Sequence, residues 1–205
     1  MTTSGEAPRV TRERLGHVLR IGLNRADKRN AFDIPMIQGL SEALEELDAA
    51  PDLRAGVIFA HGAAFSGGLD LPSVAPAMAA GNPADILPEG AIDPWGAMGR
   101  RVSKPVVCAV HGVCYTTGVE LMLASDVTVA ASNTIFGQQE VSRGLFPFGG
   151  GTWRWPAAVG WGNAMRYLLT GDTLDAAEAL RIGLVQEVAE PERSLARATE
   201  IAERI

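Results

Sequence analysis

Three short runs in this chain are apolar at nearly every position: "AGVIFA" from Ala55, "VVCAV" ending at Val110, and "VTVAA" from Val127. A strand with one wet face alternates polar and apolar residues, so a run that is apolar on both faces needs cover on both sides. The segments between the runs can supply it. Ile37, Leu40, Leu44 and Leu47 recur at helical spacing, with Asp33 as a candidate N-cap, Pro35 in the first turn and Pro51 just beyond the end. "TGVELMLAS" reads as a further helix, and "DVTVAASNTIFG" as strand, turn and strand. Strands that alternate with helices in this way predict an α/β fold around a covered, mostly parallel sheet.

The remaining segments fit the same scheme. "HVLRIGLNR" (17–25) alternates with period two and predicts a strand running into the polar turn "RADKRNAFD". Residues 75–99 carry Pro76, Pro83, Pro88 and Pro94, which predicts broken helices or a mobile flap. "LFPFGGGTWRWPAAVGWGNAMRYLLTG" predicts a glycine- and proline-rich loop ending in a helix around 162–170. "TLDAAEALRIGLVQEV" predicts a short amphipathic helix closed by Gly183 and then a strand. "ERSLARATEIAERI" predicts a helix whose pattern is still running at the last residue. No fixed-period repeat is present, and one domain over 1–205 is expected.

Composition narrows the partners. A net charge of −6 argues against nucleic acid but leaves room for an anionic small ligand held by local basic residues. Cys108 and Cys114 lack C-x-x-C spacing and the three histidines are scattered, so no metal is expected and the thiols read as reduced and packed. No apolar run approaches the ~20 residues of a membrane span. The N-terminus has no apolar h-region, so a cytoplasmic location without a membrane partner is expected.

Three stretches can carry chemistry. In "AFSGGLDL" the two glycines allow backbone conformations that a Cβ would obstruct, so a following N–H can point into a cleft; the alternative is a tight strand-to-helix turn. It is neither a phosphate loop nor a nucleophile elbow around Ser66. In "CYTTGVELMLASD", Thr117 and Glu120 fit a capping box, with Glu120 folded back onto the Thr117 N–H. Alternatively, that N–H and the helix dipole polarise a substrate oxygen while Glu120 faces the same cavity. The Thr117 N–H cannot fully serve both. In "FGQQEVSRGLFPFGGG", Glu140 is either a solvated loop acid, paired with Arg143, or a second carboxylate that shares proton transfer with Glu120.

Together with "LNRADKRNAF", "KPVVCAVHGVCYTTGVELMLASDVTVAA" and "LLTGDTLDAAEALRIGLVQEV", these motifs resemble the enoyl-CoA hydratase/isomerase (crotonase) superfamily over about residues 17–190. The resemblance implies a crotonase-like spiral of ββα units, with the chain stopping before the C-terminal helices that complete the CoA site and build trimers in relatives. It implies oxyanion-hole N–H groups at Leu69 and Thr117, and catalytic acids at Glu120 and Glu140. It implies acyl-CoA contacts from Arg25, Lys28, Arg29, Ala31, Gly68, Asp70 and Leu71. No cofactor is implied, because CoA is part of the substrate, and a homotrimer or hexamer is expected. The activity implied is hydration of a 2-enoyl-CoA, with 3,2-double-bond isomerisation as runner-up and a non-catalytic acyl-CoA-binding module as a further alternative. A serine hydrolase using Ser66 with His61 or His111 has little support. Thr116 and Thr117 stand where related hydratases often carry glycines, and Phe146, Pro147, Phe148, Trp153 and Trp155 read as core or interface.

Overall fold

The three apolar runs lie side by side. The computed structural model describes residues 7–81 and 83–205. In chain order the elements are β1 (Val10–Leu15), β2 (Val18–Leu23), α1 (Ile34–Ala49), β3 (Ala55–Ala60), α2 (Leu71–Ala80), β4 (Val106–Val110), β5 (Val113–Tyr115), α3 (Thr117–Ala124), β6 (Val127–Ala131), β7 (Ile135–Gly137), α4 (Gly151–Val159), α5 (Trp161–Leu168), β8 (Thr173–Asp175), α6 (Ala176–Ile182), β9 (Glu187–Ala189) and α7 (Ser194–Ala202). One sheet has the order β1-β2-β3-β4-β6-β9, parallel throughout except for the antiparallel β1–β2 pair. A second sheet has the order β5-β7-β8.

The period of two explains why both faces of the middle strands are greasy. Ile58, Cys108, Val110 and Ala130 point to one side, into a core shared with Leu40, Leu44 and Leu47 of α1. Val57, Val107, Ala109 and Val129 point to the other, where Ala198 and Ala202 of α7 cover them. Asp33 caps α1 as its position suggested, accepting from the Met36 N–H at 2.9 Å. Cys108 and Cys114 are buried free thiols. Among the described residues no helix is long and apolar enough to cross a membrane. The expectation for a leader falls partly on residues 1–6, which lie outside the described residues.

The structure departs from the sequence expectations in several places, one being β5, which falls between the strand and the helix expected on either side of it. β1 was not anticipated, because its outward positions are charged: Arg12 pairs with Glu42 at 2.7 Å and Arg14 with Glu46 at 2.8 Å. Such charges suit a sheet edge, where an unmasked ladder invites further pairing. Helix α4 occupies part of the predicted loop despite Pro156, because complete burial of Trp155 outweighs one missing backbone hydrogen bond. Helix α2 likewise continues to Ala80 through Pro76, into the segment expected to be broken from residue 75. The strand β8 precedes α6 where only a helix was expected, since the Asp175 side chain accepts from the Glu178 N–H and so caps the helix there.

Candidate active site

Two loops are brought into contact by glycines. Ser66 bridges Cys114 in parallel register, with Tyr115 N donating to Ser66 O and Ser66 N to Val113 O, both at 3.0 Å. Beyond that bridge, Leu69 and Thr117 line the same two cavities. The approach is so close that a Cβ on Gly68, whose φ is +97°, would lie 1.9 Å from Thr116 Oγ1, and one on Gly118 would lie 2.8 Å from Ser66 Cβ. Phe32 flanks the other side, donating to Gly68 O at 2.8 Å and accepting from Asp70 N at 3.0 Å. In that parallel bridge the Leu69 N–H itself points away from Phe32. Thr117 opens α3, so its N–H is one of the donors that a helix start leaves without an intrahelical partner. Among the described residues neither amide donates to a backbone acceptor.

The capping box does not form. Thr116 is the N-cap and its side chain makes no capping bond, while Glu120 reaches across to accept from the Gly151 N–H at 2.8 Å. Glu120 is 1% exposed. Burial pushes its pKa up to about 7, the Gly151 amide opposes that rise, and the neighbouring Glu140 adds to it. Glu140 is buried too, not a solvated partner of Arg143. Its Oε1 accepts from Gln138 Nε2 at 2.8 Å, whereas its Oε2 is buried without a hydrogen-bond partner. Burial raises its pKa as well. Gln138 is fixed in turn by the indole N–H of Trp155, at 3.0 Å.

Both glutamates line a polar cavity of about 360 Å³, with Lys28, Arg29 and Arg143 around it. An adjoining apolar cavity of about 500 Å³ is walled by Ile37, Val74, Ile86, Leu87 and Trp95. Leu69, Thr117 and Phe148 belong to both. Leu69, Thr117 and Phe148 therefore stand where the apolar cavity meets the carboxylate-bearing one.

The other expected contacts divide. Lys28 and Arg29 are exposed, and they line the polar cavity with half-buried Ala31 and Leu71. Arg25 does not present a free cation: it pairs with Asp33 at 3.1 Å and with Asp70 at 2.7 Å. Arg25 and Asp70 were both expected at the ligand, yet their side chains hold each other because both are half-buried and oppositely charged. Gly68 contributes closeness, not a side chain. Ser66 donates to Asn30 O at 2.9 Å and accepts from Gly68 N at 3.1 Å, so it braces the loop. His61 bonds Thr11 and His111 bonds Gly62 O, which leaves no hydrolase arrangement around Ser66. Trp155 is core, whereas Phe146 and Trp153 are exposed and Phe148 lines the cavities.

The sequence reading missed Gln138, Gly151 and Asn30. Asn30 is buried with φ +50° and bridges His61 O and Ala64 O, a combination of left-handed backbone and short amide that favours asparagine. A backbone donor such as Gly151 leaves no mark beyond the glycine itself.

The family model described as enoyl-CoA hydratase/isomerase matches residues 13–205. The chain belongs to the enoyl-CoA hydratase/isomerase family. Its similarity to the enoyl-CoA hydratase EchA19 of Mycobacterium tuberculosis is 32% identity, covering 100% of this chain and 77% of that protein. A crotonyl-CoA hydratase of Syntrophomonas wolfei is 45% identical over 54% of this chain and 45% of its own length. A solved probable enoyl-CoA hydratase/isomerase from Mycobacterium abscessus superposes with a TM-score of 0.93 at 48% identity, covering 97% of this chain and 76% of that one. A carnitinyl-CoA hydratase from Mycobacterium avium gives 0.85 at 32% identity, covering 98% and 76%. The α/β architecture described above is therefore the fold of the enoyl-CoA hydratase/isomerase family.

Proposed function

We propose that this chain is an enoyl-CoA hydratase that adds water across the 2,3-double bond of a 2-enoyl-CoA. One observation carries the reading: two buried carboxylates line a cavity whose wall also includes Leu69 and Thr117, and among the described residues neither of those amides donates to a backbone acceptor. The Leu69 and Thr117 N–H groups donate to the thioester oxygen and hold the negative charge that develops on it. Removal of one such donor typically raises the barrier by ~3 kcal/mol. Glu120 takes a proton from the water as its oxygen bonds to C3. Glu140 delivers a proton to C2 as the π electrons move there. Return of a proton from Glu120 to Glu140 closes the cycle. A carboxyl with a pKa of about 7 suits both halves of this exchange near neutral pH.

In this reading the apolar cavity takes the acyl tail, and Lys28 and Arg29, exposed along the polar cavity, meet the CoA phosphates. The reaction calls for no metal or cofactor, since CoA belongs to the substrate. A homotrimer or hexamer in the cytoplasm belongs to the same reading; the exposed Phe146, Trp153, Trp161 and Leu169 support assembly. Double-bond isomerisation needs only one acid, and the buried, unpartnered Oε2 of Glu140 argues for the second. Glu140→Gln is expected to slow hydration of crotonyl-CoA by about 10²–10⁴-fold, followed as loss of the conjugated thioester absorbance. Undiminished turnover in that variant refutes the two-acid mechanism.

A further inference from the structure

Arg154 occupies an unfavourable place for a cation. It is the fourth residue of α4, close to a helix N-terminus that already carries partial positive charge. Burial and the charge of Arg101 pull its pKa below the usual guanidinium value, against the pull of Asp93 and Glu120. Helix stability does not explain such a residue; its half-buried guanidinium lies over the Trp153 ring at 5.3 Å and forks to two backbone carbonyls. Nη1 donates to Gly149 O at 3.0 Å and Nη2 donates to Trp95 O at 2.7 Å. Gly150 passes so near that a Cβ there would lie 2.0 Å from Nη1.

Both acceptors belong to loops that build the site. Gly149 stands two residues before Gly151, whose N–H holds Glu120, and a Cβ on Gly149 would lie 2.8 Å from Glu120 Oε2. Trp95 walls the apolar cavity and donates its indole N–H to Thr117 O at 2.9 Å. A single planar guanidinium thus ties the loop that cradles the carboxylate to the loop that steadies the start of α3. We propose that Arg154 is a positioning residue that fixes the Glu120 carboxylate against the reacting carbons by locking the Gly149–Gly151 loop to the Trp95 loop. This deepens the hydratase reading and rests on it.

The lock acts through geometry and through charge. Glu120 faces Glu140 from the segment after β7 and Arg154 from α4, while Arg154 also faces Asp93 and Arg101 from the Trp95 loop. Removing the guanidinium frees the loop and removes the positive neighbour that favours ionised Glu120.

The test pairs turnover of crotonyl-CoA with an infrared titration of the protonated carboxyl band that disappears in Glu120→Gln. In Arg154→Met, kcat is expected to fall about 30-fold with KM changed less than about threefold, as for a misplaced catalytic group. The infrared midpoint is expected to rise by at least about half a pH unit. Arg154→Lys, the second variant should the Met form not fold, is expected to restore the midpoint but only part of kcat, because an ammonium cannot fork to two carbonyls. An unmoved midpoint in Arg154→Met, an unchanged kcat there, or full kcat in Arg154→Lys overturns the proposal. Wild-type protein that hydrates no 2-enoyl-CoA sinks the hydratase reading instead, so the two failures are distinct.

Discussion

Glu120 holds a protonation balance that no exposed glutamate has at neutral pH. Its pKa is raised from 4.5 to about 7, chiefly by burial. Between those values the folded protein binds a proton that the unfolded chain releases. The contribution to stability is therefore complete below the unfolded value and is lost as pH rises through about 7. Above that, keeping the carboxylate buried costs about 3 kcal/mol. Glu120→Gln is accordingly expected to be more stable than wild type by up to about 3 kcal/mol at about pH 8, with the gain vanishing below about pH 4.5. Urea unfolding at the two pH values checks this, and a destabilised variant at the higher pH contradicts it. Glu120 and Glu140 could be singled out in the sequence because each is an acid set in an apolar or glycine-rich context. Their partners could not, since the Gly151 N–H is backbone and Gln138 is an ordinary amide until Trp155 pins it. The ion pairs of Arg25 were hidden for the converse reason: a basic turn looks solvated until its carboxylates, Asp33 and Asp70, arrive from elsewhere in the chain.

At the level of elements, the start of α3 carries strain. Thr116 has φ +49° and ψ −118°, a backbone state that a β-branched residue rarely adopts. Its N–H is held by Gly137 O at 2.8 Å and its side chain abuts Gly68, so the surroundings impose the conformation. Thr116→Gly is expected to stabilise the fold by about 1 kcal/mol, the relief of strain exceeding the added freedom of the unfolded chain. A shift in the denaturation midpoint measures it, and a loss of stability would show that the threonine side chain packs too well to be spared. The helices with clean periodicity and caps, α1 and α6, were legible; α4 was not, because glycine and proline signals are local while the burial of Trp155 is a tertiary fact. Strand β1 was hidden by its charges, which mark an edge only once a sheet exists to have one.

Across the whole molecule, the core and the site share a wall. Trp155 is fully buried, lies 5.9 Å from the ring of Tyr167, and links through Gln138 to Glu140. Trp155→Ala is expected to cost about 3–5 kcal/mol of stability. Trp155→Phe keeps most of the packing and leaves Gln138 without its donor, so it is expected to lower hydration activity more than stability. Unfolding curves and turnover of the two variants, measured side by side, separate the contributions; equal activity in Trp155→Phe and wild type rules out the link.

Among the described residues the apolar and the carboxylate-bearing cavities share only Leu69, Thr117 and Phe148. That narrow saddle keeps the two linings largely separate, with Trp95 as the apolar wall's tie to the other side. On the proposed reading, exchanging Ile37, Val74 or Ile86 reshapes the space offered to an acyl tail while the two glutamates on the other slope keep their places. A scaffold divided in this way can diversify what it recognises while the bond-making half stays unaltered.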